Sequence, residues 1–408
     1  MDRRTGWCVG VVLACIASTV RTLGDEVEWS CSILPPEHEE TIDPISGARV
    51  VFVTTDPAHD SNLYFHDRSW LADESMLVFR TERTGRSERF GYLEATGELV
   101  RLGRPDEPNF GAVVCARRKN RIYAVHDNAI VALHVTVEPG TARRKTSVSV
   151  KRQTLGGVPN NGGLRTQLNE SADGRFVSFA YTDAGDEKIN HIAVLEVETG
   201  KILTLATVDY PVSHLQFSWT RPDLLMFARA YPEGDRMDPD KDPDGVPNYR
   251  LWHVDFSGRP PWPIYPQKPG ELVTHECWWT EDRLTFFGGH HPHEQHLKVY
   301  DMKTRRISIL GAGSWWPEGT TAQITKRGWW HGAGSPNGRW LVGDTFHGDI
   351  VIFDAYTTEE KPLTLDHRKP GEQHPHVGWG PSSDRVVFAS NKRGNPDVAI
   401  AYLPKHWK

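Results

Sequence analysis

A polar turn followed by a short apolar strand recurs along most of the chain, and this repeat limits the fold more than any other feature. Seven such turns lie between Glu74 and Asp384, which are 310 residues apart. Six steps give about 52 residues a repeat, near the length of a β-propeller blade. The turns and strands are Asp73–Ser75 with MLVF, Lys119-Asn120 with RIYAV, Asp173-Gly174 with RFVSF, Pro222-Asp223 with LLMF, Glu281-Asp282 with RLTFF, Asn337-Gly338 with RWLVG and Ser383-Asp384 with RVVFA.

Each repeat also carries alternating strands joined by a tight turn, as in residues 90–102, 191–205, 296–310 and 350–365. Period-2 alternation around such turns is typical of antiparallel hairpins, and no segment shows a sustained helical period. We therefore predict an all-β fold, a seven-bladed β-propeller of four-stranded antiparallel blades. The strand Ala48–Val53 has no repeat of its own, and we expect it to complete the last blade and close the ring.

The N-terminus has the pattern of an export signal. Two arginines precede an apolar run at residues 7–20, which is too short to span a bilayer, and small residues before Asp25 suit cleavage. We predict a signal peptide at 1–24, a single propeller domain at 25–408, and a secreted or periplasmic protein without a membrane span. Lipidation at Cys15 is the alternative that we favour less. The three cysteines after the cleavage point are widely spaced and form no disulfide framework.

Several of the 19 histidines share one register position. The strand before each turn is the innermost in a propeller blade, so equivalent positions on it converge at one mouth of the central channel. The alternative is that repetition has copied a structural histidine. Converging imidazoles suit a divalent transition metal or proton transfer. Seven to ten residues before the turns lie His66, His214, His275, His331, His374 and His376, with Arg165 and Gln167 in the third repeat.

The segment His374-Pro375-His376 is the most specific local motif. Alternate residues of a strand share a face, so both rings can face one ion, and His331 of the neighbouring blade can add a third ligand. Nitrogen ligands accept Mn, Fe, Ni, Cu or Zn, and the sequence does not choose among them.

At these residues the chain resembles the oligogalacturonate lyases, a family of seven-bladed propellers. The similarity runs from Gly47 to Pro404. The matching pieces are H-x-x-N-x-Y-F at His59, Asn62, Tyr64 and Phe65; R-L-W at Arg250; T-H-E-x-W at Thr274, His275, Glu276 and Trp278; His331 before S-P-N-G; and H-P-H at His374 and His376.

The resemblance implies manganese held by His331, His374, His376 and a glutamine. It also implies that His275 abstracts a proton and that Arg250 binds the substrate carboxylate. The family glutamine lies three residues before H-P-H, where this chain has Gly371. The candidates for the fourth ligand are Gln373, Glu372 and water. On a regular strand, Gln373 would point to the opposite side from His374 and His376.

We therefore predict a metal-dependent lyase that acts on an acidic oligosaccharide, oligogalacturonate or a related uronate. Removal of the C5 proton builds up negative charge, which a cation and an arginine stabilise. A neutral histidine is a suitable base near pH 7. We assign substrate binding to His59, His66, Arg165, Gln167 and His214.

Two other classes stay open. A propeller glycoside hydrolase would need paired carboxylates. The inner register is rich in histidine and poor in carboxylates, with Asp67 and Glu276 as the main exceptions. The other is a non-enzymatic periplasmic binding or scaffold protein. A formal net charge of −6 argues against nucleic acid as the partner. We interpret the acidic segment 231–248 and the histidine-rich segment 290–296 as exposed loops rather than metal sites.

Overall fold

The computed structural model describes residues 26–141, 144–159, 162–230, 249–290, 294–313, 328–368 and 372–407. Within them seven antiparallel sheets form the blades of a propeller, which confirms the predicted fold. The predicted signal peptide, the segment 231–248 and Gly371 lie outside the described residues. The described stretches contain no helix with the length and apolar character needed to cross a membrane.

Blades 3 to 6 have four strands each, in chain order from the channel outward. Blade 3 contains β13 (Asn169–Glu170), β14 (Phe176–Asp183), β15 (Asp186–Glu196) and β16 (Ile202–Val208); blade 4 contains β17 (Val212–Phe217), β18 (Leu224–Arg229), β19 (Leu251–Asp255) and β20 (Trp262–Pro263). Blade 5 contains β21 (Glu271–Trp278), β22 (Arg283–His290), β23 (His296–Asp301) and β24 (Arg306–Gly311); blade 6 contains β25 (Trp329–Gly334), β26 (Trp340–Thr345), β27 (Ile350–Asp354) and β28 (Glu360–Thr364).

Blades 1 and 2 each gain one strand from the N-terminal segment, and blade 7 gains two. Blade 1 contains β5 (Asp60–Asn62), β6 (Met76–Thr81), β7 (Glu88–Leu93) and β8 (Leu99–Arg101), with β2 (Ser32–Leu34) outermost. Blade 2 contains β9 (Val113–Cys115), β10 (Arg121–His126), β11 (Ala129–Glu138) and β12 (Ser147–Gly157), with β1 (Val27–Ser30) outermost. Blade 7 contains β29 (Gly378–Trp379), β30 (Arg385–Ser390) and β31 (Asp397–Tyr402), followed by β4 (Arg49–Phe52) and β3 (Glu39–Ile42).

Ring closure follows the prediction. Strand β4 pairs antiparallel with β31, so the N-terminal and C-terminal ends of the chain share blade 7. The pairing covers the edge of β31 that would otherwise expose unpaired backbone groups. The outer strands β1, β2 and β3 were not predicted, because their short sequences carry no repeat signal.

The polar turns join the innermost strand of a blade to its second strand, as their chemistry requires. Gly174 and Gly338 have φ of 76° and 75°, a left-handed conformation that glycine adopts without steric cost. In other blades Glu74, Asp282 and Ser383 adopt the same conformation, with φ of 62°, 57° and 58°. Five of the seven turns therefore share a left-handed residue, although only two of those five have glycine there.

The hydrophobic core lies between neighbouring blades. Val342 of blade 6 and Val386 of blade 7, for example, are fully buried in one cluster. Trp279 and Trp329 pack in the cluster between blades 5 and 6 and are each 1% exposed. These two rings therefore pack the interface between the blades. Two short 3-10 helices lie at Thr280–Asp282 and Lys405–Trp407.

Candidate active site at one mouth of the channel

Three of the register histidines have a left-handed backbone, which residues with a side chain seldom adopt. φ is 48° at His214, 51° at His275 and 51° at His376. At His214 and His275 the pairing with the second strand shifts register, so each lies in a β-bulge of an innermost strand. A bulge re-aims a side chain out of the regular alternation. Such backbone strain costs about 1–3 kcal/mol a residue and clusters at functional sites.

The chain between β5 and Trp70 leaves the sheet of blade 1 and enters the middle of the histidine cluster. The ring of Tyr64 lies 4.9 Å from that of His66, 5.4 Å from that of His214 and 5.0 Å from that of His376. The ring of Phe65 lies 5.1 Å from those of His66 and His331. The sequence had indicated that His66 lies on a regular innermost strand. That expectation is wrong, because His66 belongs to this excursion. We call residues 63–69 the channel plug.

His331 is held by a buried carboxylate. Its backbone N–H donates to Asp344 Oδ1 at 2.7 Å, and its ring Nδ1 donates to Oδ2 at 3.0 Å. Nε2 is buried without a hydrogen-bond partner among the described residues. Burial raises the pKa of Asp344 to about 6, and burial together with His376 and His374 lowers the pKa of His331 well below its usual value. A carboxylate on the second ring nitrogen is the usual way in which a metal-binding histidine is oriented.

His374 and His376 lie near His331 but not on a regular strand. Strand β29 begins only at Gly378, and His376 has its left-handed backbone, so the expected face shared by alternate strand residues is wrong. Trp330 instead stacks on the ring of His374 at 4.5 Å and 8°. Burial lowers the pKa of His374 to about 4 and also lowers that of His376. Both rings are therefore neutral and able to donate a nitrogen lone pair near pH 7.

These three imidazoles fit a divalent metal in their chemistry. Their ring centroids lie 4.5 Å, 5.8 Å and 6.2 Å apart. Two rings on opposite sides of one ion, each with its nitrogen about 2.1 Å from the metal, would have centroids about 6.5 Å apart. The three observed spacings are all shorter than this upper limit. No group of three or more histidine, cysteine or acidic side chains in the described parts of the chain already has metal-site geometry. Binding would therefore require the rings to turn toward a common point.

Gln373 directly precedes His374 in the chain. Gln373 is half-buried, and its side chain has no hydrogen-bond partner in the described ranges. Its neighbour Glu372 accepts a hydrogen bond from Asn391 Nδ2 at 2.5 Å. Because residues 373–377 form no regular strand, the argument that Gln373 must face away also loses its basis. The fourth ligand stays a prediction.

Arg250, His214 and Glu276 form a buried triad beside the imidazoles. Arg250 donates from Nε to Oε2 and from Nη2 to Oε1 of Glu276, both at 3.2 Å. His214 Nδ1 donates to Oε1 at 2.7 Å. Burial alone would raise the pKa of Glu276, but attraction to Arg250 and His214 is stronger and lowers it far below the usual value. Glu276 therefore holds the Nε–Nη2 edge of the Arg250 guanidinium.

His275 lies between this triad and His331. Its ring centroid is 4.5 Å from that of His331 and 5.4 Å from that of Trp330. Nδ1 is buried and has no partner in the described part of the chain. Burial, then the neighbouring His331 and His214, lowers its pKa well below the usual value, so the ring is neutral at pH 7. A neutral, half-buried imidazole beside a fixed cation has the properties of a proton acceptor.

Three predicted substrate-binding residues stay apart from these rings. His59 precedes β5, and its backbone carbonyl accepts a hydrogen bond from the N–H of Glu82 at 3.1 Å. Arg165 is exposed and pairs with Glu187 at 2.9 Å. Gln167 is also exposed. His66 and His214, by contrast, lie 5.3 Å apart within the cluster.

Two features of the site were not predicted from the innermost strands, namely Asp344 and the central placement of the channel plug. Asp344 lies on a second strand, outside the positions that were compared. Tyr64 and Phe65 were visible as part of a motif, but nothing in their spacing indicates an excursion into the channel. The cluster at residues 290–296 lies partly outside the described ranges; His290 is exposed, and His296 Nδ1 accepts from the N–H of Gly313 at 3.0 Å.

The described fold and site define a seven-bladed propeller with one imidazole-lined channel mouth. No protein-family model and no curated protein matches the chain. Among solved structures it is similar to an oligogalacturonate lyase from Vibrio parahaemolyticus, with a TM-score of 0.72 and 15% identity, covering 93% of this chain and 100% of the other. An oligogalacturonate lyase in complex with manganese gives a TM-score of 0.71 and 16% identity, covering 93% and 99%.

A puromycin-hydrolyzing peptidase from Mycobacterium tuberculosis is also similar, with a TM-score of 0.51 and 16% identity. That match covers 90% of this chain but only 56% of the peptidase. The resemblance to oligogalacturonate lyases that the sequence showed therefore extends to the fold over nearly the whole length of those proteins. At these identities it establishes the fold and leaves the reaction to be argued from the site.

Proposed function

We propose that this protein is a metal-dependent polysaccharide lyase that cleaves oligogalacturonate or a related uronic-acid oligosaccharide by β-elimination. One observation carries the proposal. A neutral, half-buried His275 lies beside His331, while the next residue in the chain, Glu276, holds Arg250 in place. A base, a cation and metal-suited imidazoles thus share one mouth of the channel.

The reaction removes the proton at C5 of a uronate and expels the oxygen at C4. His275 accepts the proton, and its lowered pKa keeps it unprotonated before the reaction. The electrons of the C5–H bond form the new C4–C5 double bond as the C4–O bond breaks, so the product is a 4,5-unsaturated uronate. Because His275 lies in a β-bulge, its position is set by the backbone and not by side-chain rotation alone.

Negative charge develops on the carboxylate next to C5. Arg250 stabilises that charge, and Glu276 fixes the guanidinium before substrate binds, so no reorganisation is needed during the reaction. A divalent cation, Mn²⁺ by our expectation, would supply Lewis-acid stabilisation of the same carboxylate. His331, His374 and His376 would hold it, with Gln373, Glu372 or water as a further ligand.

Other residues extend the proposal outward from the reacting sugar. His66 and His214 line the cluster, whereas His59, Arg165 and Gln167 would contact more distant sugars. The oligomer would be a soluble acidic saccharide met outside the cytoplasm, since we propose that residues 1–24 are a signal peptide and that the mature protein is secreted or periplasmic.

The test is to incubate the purified protein with digalacturonate and longer uronate oligomers and to follow the ultraviolet absorbance of the unsaturated product. Chelator should abolish the signal, and added Mn²⁺ should restore it. H275A should lose activity but keep its metal content, whereas H134A, at a half-buried histidine of β11, should behave as wild type. Absence of the signal on every uronate tried, with metal present, would rule out the lyase and favour a binding protein.

A further inference from the structure

A second cavity opens at the opposite mouth of the channel. Its volume is about 250 Å³, and its walls come from the ends of innermost strands nearest the polar turns, including Trp70, Trp219 and Trp379. Phe65 and His66 of the channel plug form its floor. The same plug contacts the histidine cluster on its other side, so the two mouths are separated by side chains and not joined by an open pore.

Arg117 gives this cavity a cation without a counter-ion. Its guanidinium carbon lies 5.1 Å from the ring centroid of Trp219, and its Nε is buried without a hydrogen-bond partner in the described part of the chain. The nearby carboxylate of Glu170 bonds the backbone N–H of Arg117 at 2.7 Å and not its side chain. Burial, and after it the neighbouring Arg68, lower the pKa of Arg117 well below its usual value, and attraction to Glu170 offsets only part of this change.

The other charged groups of the cavity already have partners. Arg68 donates from Nε to the carbonyl of Cys115 at 2.8 Å and from Nη2 to Glu170 at 3.2 Å. Glu170 also accepts from the hydroxyl of Tyr123 at 3.1 Å. Asp67 lies 2.9 Å from Nδ1 of His66. Arg68 and Glu170 thus neutralise one another and Asp67 is engaged by His66, so Arg117 is the cation of the lining that an incoming anion would meet.

The tryptophans offer apolar surface rather than hydrogen bonds. Trp70 donates its indole N–H to Glu94 at 2.5 Å, and Trp379 donates to the carbonyl of Ala333 at 2.8 Å. The cavity is smaller than the roughly 300–1,000 Å³ of drug-sized pockets, so it suits a single ring or a short acid. Arginine meets a carboxylate through its planar fork, and aromatic walls favour a flat or ring-shaped body.

We propose that this second mouth binds a small carboxylate with a ring-shaped body, anchored by Arg117 between the tryptophans. A sugar acid and an aromatic acid share this chemistry. The site lies beyond the channel plug from the proposed active site, and ligand binding there does not depend on lyase activity.

The probes are galacturonate and benzoate, each compared with a neutral analogue, galactose and benzyl alcohol. Binding to the full chain is followed by calorimetry and by tryptophan fluorescence. We expect at least one acid to bind and its neutral analogue to bind at least about tenfold more weakly. R117M should weaken binding of the acid to the same extent. R118M removes the exposed neighbouring arginine and should leave the affinity within twofold of wild type.

H331A removes a ring that contacts the plug from the histidine mouth and does not line the cavity, so this variant should keep the affinity for the acid. Binding that H331A abolishes, equal binding of acid and neutral analogue, no binding of either acid, or an unchanged affinity in a folded R117M would each overturn the proposal. If R117M does not fold, A72W decides the question, because it narrows the cavity mouth without removing a charge. An unchanged affinity in A72W would overturn the proposal as well. A protein that binds the acid here but yields no unsaturated product would refute the lyase alone.

Discussion

Replacing Glu276 by glutamine tests the central ion pair of the site. The carboxylate is 0% exposed, and Arg250 is 6% exposed, so water cannot replace either partner. E276Q would remove this carboxylate from the buried guanidinium, and breaking a buried ion pair typically costs about 3–5 kcal/mol. R250M would leave the carboxylate with the hydrogen bond from His214 Nδ1 and should cost somewhat less. We expect E276Q to lower the free energy of unfolding by about 3 kcal/mol or more.

The double variant separates the ion pair from general damage. Removing both partners leaves no uncompensated charge, so E276Q/R250M should be less destabilised than the sum of the single variants by about 2–3 kcal/mol. Urea unfolding, followed by tryptophan fluorescence and circular dichroism, measures each value. E40Q is the matched control, because Glu40 pairs with Arg49 at the surface at 45% and 44% exposure and such pairs contribute about 0–1 kcal/mol.

Two results would refute this reasoning. An E276Q protein as stable as wild type would mean that the guanidinium relaxes into solvent or finds another acceptor. Strict additivity of the two single changes would mean that they act independently and that the 3.2 Å contacts contribute no coupling.

Three further changes probe the plug, the histidine support and the pH response. D344N should weaken metal binding by about 10–100-fold in a metal titration, because it removes the negative charge and replaces Oδ2, which accepts from the ring of His331, with an NH2 group that cannot accept; an unchanged affinity would exclude Asp344 as the support. F65A should cost about 3–5 kcal/mol in urea unfolding, since Phe65 is 3% exposed, and a near-neutral result would show that the plug is loosely packed. Burial lowers the pKa of His367 to about 3 against about 6.5 in the unfolded chain, so acidification favours the unfolded state between those values and costs about 2 kcal/mol from pH 7 to pH 5. Between pH 7 and pH 5, H367N should therefore lose about 2 kcal/mol less stability than wild type. An equal loss in both proteins would contradict a neutral, buried His367.

The seven blades and their inner strands were predictable because local rules determine them. A polar turn and a period-2 apolar strand act within about ten residues, and the chain repeats both seven times. Register within the repeat was then enough to bring His214, His275, His331 and His376 to one mouth. The closing strand β4 followed from the same argument, since an unpaired edge needs a partner.

The arrangement within that mouth depends on ring closure. Tyr64 lies 3.4 Å from His214 Nε2 although 150 residues separate them, and Glu276 bonds His214 across 62 residues. No local pattern encodes such contacts. Nor does it encode the left-handed bulges, because their strain is maintained by the packing around them and not by the residue type. The sequence by itself therefore determined the propeller and the level of its histidines, while only the tertiary structure decided which of them are paired with a carboxylate and what separates the two mouths.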